Sequence, residues 1–155
     1  MNGYKNPHQN RGQEQGKKDK TFAELADEAS KFFGTLKTEI FQFEKSSKID
    51  ELFQKTEEFV KEYGKDVTTH QLRNIYQEIK KASSLMDLKL LRPNLAYIAG
   101  RLEKNEKGKA FVAFIDSLIR EVKENQVEKE NQVENFKSFM ESVVAYHKFY
   151  HGSNK

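Results

Sequence analysis

Apolar residues recur at three-and-four intervals along most of the chain, the period of helices that bury one face. From Phe22 they fall at Leu25, Ala26, Ala29, Phe32, Phe33, Leu36 and Ile40, and Thr21 with Glu24 has the spacing of a capping box. This predicts a first helix to about Phe43, relaxing at Gly34. Ser47 with Asp50 opens a second, with a face of Ile49, Leu52, Phe53, Thr56, Phe59, Val60 and Tyr63, and Gly64 stands where a C-terminal cap belongs. Thr68 and Gln71 repeat the capping-box spacing ahead of a third, striped by Leu72, Ile75, Ile79, Ala82 and Met86. Pro93 suits the first turn of a fourth, where its missing N–H has no partner to lose, and Leu95, Ile98 and Leu102 continue its face. A fifth is predicted from about Lys109 to Glu124 on Phe111, Phe114, Ile115, Leu118 and Val122. The sixth, from about Gln132 to Tyr150, buries Phe136, Phe139, Met140, Val143, Val144 and His147 or Tyr150. With almost no strand signal, the fold class is all-α, a compact bundle of about five to six helices.

Two stretches break the pattern. Residues 1–20 hold only Met1 and Tyr4 as sizeable apolar groups among Gly, Asn, Gln and Lys, too little to offset ordering entropy, so a disordered basic tail is expected ahead of a single helical domain at 21–155. Between the fifth and sixth helices the six residues KENQVE occur twice, from Lys123 and again from Lys129. A six-residue insertion turns a continuous helix by about 240°, so the two copies cannot present one face, and a tolerated slippage in a surface loop is expected.

Composition narrows the classes. The 155 residues contain no Cys, which removes disulfide frameworks, thiolate zinc sites and thiol nucleophiles. No apolar run approaches the roughly 18 residues of a membrane span, and the first twenty residues lack the apolar stretch of a signal peptide, so a cytoplasmic protein is expected. Despite a mean hydropathy of −0.87, twelve Phe and six Tyr supply enough area for a core. The net charge is +3, and the first twenty residues account for it; the other 135 carry 22 basic and 22 acidic side chains. A phosphate-binding surface on the body therefore requires cations segregated onto one face.

A catalytic constellation is not evident. His147 and His151 have metal-ligand spacing, but Lys148 stands where a zinc protease carries Glu, and no Gly-rich loop precedes a helix. Two stripes carry more information. Thr69, Arg73, Tyr76 and Lys80 share one face of the third helix beside the buried one, and Asn94, Tyr97 and Arg101 share one on the fourth. Cations interleaved with Tyr suit RNA, because Arg and Lys meet phosphates while a ring stacks on a base or sugar. Cationic side chains also cover apolar edges with their methylene stems, and such stripes also pack partner helices. The pattern alone leaves RNA contact, helix packing and solvated surface open.

Three segments carry a resemblance. Thr68 to Lys80 (TTHQLRNIYQEIK), Leu88 to Arg101 (LKLLRPNLAYIAGR) and Phe139 to Lys148 (FMESVVAYHK) resemble, in order, the signature blocks of the small subunit of the type III-A CRISPR effector, the Csm complex. The resemblance implies a non-catalytic α-helical subunit of an antiviral ribonucleoprotein, and no cofactor or metal is expected. It is expected in several copies stacked head to tail beside the Csm backbone and large subunits, along the path of crRNA and target RNA. RNA cleavage then belongs to the backbone subunit, and DNA cleavage and cyclic oligoadenylate synthesis to the large one. By the same resemblance Gln71, Arg73, Arg92, Tyr97, Arg101, Tyr146 and Lys148 are candidate RNA contacts, with Lys80 and Lys89 on the same basic surface by position. Gln71 can equally serve as a helix cap, and Tyr97 and Tyr146 as packing residues. The rival reading is a helical adaptor that binds only protein through Phe-rich faces of the first two helices, and a metal nuclease at His147 and His151 is a distant third.

Overall fold

A computed structural model of the chain describes residues 20–123 and 131–152. Capping boxes form where the spacing placed them. The Thr21 hydroxyl accepts from the Glu24 N–H at 3.1 Å and opens α1 (Phe22–Phe33), and Thr68 with Gln71 opens α3 (Thr69–Lys81). Between them lie a 3-10 segment (Gly34–Lys45) and α2 (Ile49–Tyr63). A single turn, α4 (Leu85–Lys89), precedes α5 (Arg92–Arg101), α6 (Glu106–Glu121) and α7 (Gln132–His151). No strand occurs among the described residues, and no helix there is long and apolar enough to cross a membrane.

Several predicted boundaries move, each for a local reason. The first helix stops at Phe33 rather than near Phe43 because Gly34 sits at φ +59°, ψ −135°, a conformation costing a residue with a Cβ about 1–3 kcal/mol. The 3-10 segment that follows is kinked at Gln42. Asn135 of α7, buried, ties that kink: its Oδ1 accepts from the Glu44 N–H and its Nδ2 donates to the Phe41 carbonyl, both at 2.9 Å. The N-cap of α2 is Lys48 and makes no side-chain cap bond, so Ser47 does not open that helix. Gly64 ends α2 at φ −92°, without left-handed geometry. What it provides is close approach, since a Cβ there would lie 2.9 Å from the Val60 carbonyl and 3.1 Å from the His147 ring. Met86 is 62% exposed on α4, because α3 ends at Lys81 and Ser84 caps a new turn. Asn105, unrecognised as a cap, starts α6 at Glu106 by accepting from the Gly108 N–H at 2.8 Å.

Most of the second KENQVE copy opens α7, where Asn131 caps by accepting from the Glu134 N–H and Val133 is buried. Of the first copy only Lys123 is described, and the predicted tail lies outside the described residues except for Lys20.

Two helices organise the core: α6 packs against α1 and α5, while α7 packs against the 3-10 segment, α2 and α3. The sequence shows one apolar face on α6, yet every residue from Ala110 to Ile119 is buried. The small residues explain it, because Ala110 and Ala113 let Leu25 and Ala26 of α1 close onto what would otherwise be the solvent side. Phe33 stacks on Phe114 at 4.8 Å and meets Phe59 and Phe139 edge-on at 5.1 and 6.0 Å, joining α1, α2, α6 and α7.

Candidate nucleic-acid interface

α3 and α7 run antiparallel along a shared seam. At one end Thr69, Leu72 and Arg73 line a pocket of about 290 Å³ together with Val144, Ala145 and Lys148. At the other end the Lys137 ammonium donates to the Lys80 carbonyl at 3.3 Å and to the Ala82 carbonyl, satisfying the open C-terminus of α3. Between them Tyr76 is half-buried, and burial, with the Glu141 carboxylate second, raises its phenol pKa. Arg73, Lys80 and Lys148 are exposed, and none of the three forms an ion pair among the described residues. In a near-neutral body, cations without anions beside them mark where the positive field reaches solvent.

Gln71 serves the cap of α3: its Oε1 accepts from the Thr68 N–H at 2.9 Å. Arg92 is held by Asp116 of α6, its Nε 2.8 Å from Oδ1 and its Nη2 3.4 Å from Oδ2. That carboxylate is only 5% exposed, and Arg120 one turn on adds its Nε at 3.7 Å. Lys89 lies partly buried with its ammonium 3.5 Å from the Ile119 carbonyl. Tyr97 and Arg101 both face water on α5, the guanidinium 5.9 Å from the ring centroid. Tyr146 is half-buried with its ring edge on Phe53 at 6.4 Å; burial and then Glu57 raise its pKa.

The histidine pair closes helix ends. His147 is buried, and its Nε2 donates to the carbonyls of Gly64 at 3.0 Å and Val67 at 2.8 Å. His151 Nε2 stands 3.0 Å from the Val60 carbonyl. Both therefore tie α7 to the end of α2 and the loop after it, sharing the Val60 and Gly64 carbonyls with the backbone N–H groups of Gly64 and Val67. Among the described residues no group of three His, Asp or Glu could hold a metal ion.

Sequence reasoning passed over Asp116, Arg120 and Lys137. A signal for the first was present, since a lone carboxylate inside FVAFIDSLI has to be paired if that run is buried.

A family model described as Csm2 Type III-A matches residues 46–153, about 70% of the chain. The chain belongs to the Csm2 type III-A family. No curated protein and no solved structure matches it. Membership makes it the small subunit of a type III-A CRISPR Csm complex, with other Csm subunits as its partners. The match begins just past the 3-10 segment and contains α2 to α7 entire, so all nine predicted contact residues of this Csm2 chain fall within it. Outside it lies α1, whose Phe33 nonetheless sits in the centre of the aromatic core.

Proposed function

We propose that this Csm2 subunit is a non-catalytic RNA-holding element in cytoplasmic antiviral defence. Its residues 21–155 act as one domain, stacked in several copies along the crRNA and target RNA. The observation that carries the reading is the convergence of Arg73 from α3 and Lys148 from α7 on one pocket, both exposed and without ion-pair partners among the described residues. Lys80 extends the same face toward the far end of α3, and Arg101 with Tyr97 forms a second outward cation and ring on α5. Such groups grip phosphate and sugar without reading bases, and guide pairing supplies the sequence discrimination. Arg92 and Lys89 are instead engaged within the fold, by Asp116 and by the Ile119 carbonyl.

The test is RNA retention by Arg73→Ala and Lys148→Ala subunits, on two unrelated target sequences and across a salt series. Each change should weaken both RNAs alike and lower the salt slope by about one unit. A loss confined to one sequence would sink the reading.

A second reading is favoured by Met86 at 62% and Leu90 at 69% exposure, one turn apart on α4 and its C-cap, neighbouring apolar groups of the kind that dock protein partners. If the chain is a protein adaptor alone, charge reversal at Arg73 and Arg101 leaves both assembly and target RNA intact. If it holds RNA, assembly survives and the target RNA is lost.

A further inference from the structure

The seam pocket has two unlike parts. Its interior is apolar, made by Leu72, Val144 and Ala145 with the His147 ring as one wall, while Arg73 and Lys148, without ion-pair partners among the described residues, set two cations on its lining. Thr69 in the same wall carries a buried hydroxyl with no hydrogen-bond partner among the described residues, a donor and acceptor still to be used. At about 290 Å³ it stands at the small end of ligand pockets, which run from about 300 Å³ upward, and has room for one ring system. A backbone phosphate alone would need the cations and leave the apolar interior wet. An apolar side chain would fill the interior and leave both cations unanswered.

We infer that the pocket takes a single unpaired nucleotide, its base entering between α3 and α7 and its phosphate held by Arg73 and Lys148. The inference rests on the proposed RNA contact and adds to it a place where one base leaves the stack. Apolar walls select a flat ring by size, so the pocket tolerates any base that fits, in keeping with sequence-independent holding. Bases engaged in pairing are not available to it, which restricts the occupant to an unpaired position.

The test uses the full chain with labelled Leu and Val methyl groups, titrated by NMR with uridine 5′-monophosphate and, separately, ribose 5-phosphate. Both probes carry the phosphate, and only one carries a base. The nucleotide should move the methyl signals of Leu72 and Val144 and bind about tenfold more tightly than the sugar phosphate, the increment expected for one sequestered base. Ala145→Phe, at an exposed helical position on the pocket wall, should remove that increment and leave ribose 5-phosphate within twofold of wild type. Arg73→Ala should weaken both probes. Because the comparison of probes on the unaltered chain needs no variant, it stands even if Ala145→Phe misfolds. Equal binding of the two probes, with RNA retention still sensitive to Arg73 and Lys148, overturns the base pocket and leaves the RNA reading in place. Loss of both sensitivities removes the two together. Still methyl signals combined with failure of Ala145→Phe to join the other Csm subunits assign the pocket to a protein side chain and overturn the inference.

Discussion

The pairing of Arg92 with Asp116 decides how any RNA phenotype of Arg92 should be read, and it can be tested without RNA. Asp116 is 5% exposed with two guanidiniums on it, at 2.8 and 3.7 Å. Breaking a fully buried pair costs about 3–5 kcal/mol, and an exposed one is worth about 0–1. This pair lies between, because the arginines are 38% and 40% exposed and regain water when released. Asp116→Asn removes the buried charge and keeps the shape, so about 2 kcal/mol is expected, a fall in Tm of roughly 4–8 °C for a chain of this size. Arg92→Met instead leaves the buried carboxylate with only the longer contact to Arg120, and about 3 kcal/mol is expected. The double variant should fall short of the sum by about 1–2 kcal/mol, because the second change removes a partner already gone. Urea midpoints of the four proteins at neutral pH measure the cycle. Strict additivity, or an Arg92→Met within about 0.5 kcal/mol of wild type, would refute the assignment and return Arg92 to the surface as an ordinary RNA contact.

Gly34→Ala should destabilise by about 1–3 kcal/mol on account of its φ of +59°. Gly100→Ala, helical and with open space around the added methyl, should stabilise by about 0.5–1 kcal/mol; thermal midpoints compare the two, and a neutral Gly34→Ala would mean that the end of α1 is set elsewhere. Burial holds His147 neutral by lowering its pKa, so as pH falls the unfolded chain takes up the proton first. Stability should be full above about pH 6.5 and decline below it toward the lowered folded-state value; His147→Gln should flatten that slope, and an unchanged slope would assign the titration to another group. Thr69→Val should stabilise the free subunit by about 1 kcal/mol by removing an unpaired buried hydroxyl, and a loss of stability by denaturation would show that the hydroxyl is satisfied in solution.

What could be read from the chain and what could not follows the range of the interactions. Capping boxes act over three residues, and those at Thr21 and Thr68 form as their spacing requires. The break at Gly34 was visible as a weak point, but the kink at Gln42 beyond it is tied by Asn135, 94 and 91 residues along the chain from its partners Phe41 and Glu44. Periodicity carried Met86 into the third helix because it reports a face and cannot see that Ser84 starts a new turn. On α6 the period marked one face, while the second was concealed in two alanines whose small size only matters once α1 lies against them. The site shows the same division. Arg73 was legible as part of a stripe, but its meeting with Lys148 needs α3 and α7 to run antiparallel, and nothing local encodes that. His147 and His151 share metal-ligand spacing, but the use of their rings, donating to carbonyls at the end of α2 and in the loop after it, depends on that end lying across from them.

Electrostatics of the assembled face then follow from which cations the fold consumes. Of the seven predicted cationic and amide contacts that are not tyrosines, Gln71 is engaged in a cap, Arg92 in an ion pair and Lys89 with a carbonyl. Arg73, Lys80, Arg101 and Lys148 remain turned to water. Four phosphate contacts on a single strand correspond to a salt slope of about −3, or an affinity lost by roughly fiftyfold between 50 and 200 mM salt. Because these four belong to the 22 cations that 22 carboxylates of the body balance, one copy is expected to hold RNA weakly at physiological salt. If copies are arrayed along one RNA, as proposed, they share it at high effective concentration, so their grip multiplies while each contact stays weak. On this argument the slope measured for the stacked assembly should grow by about three for each copy engaged, and a slope that does not change with copy number would show that the four cations lie off the RNA path.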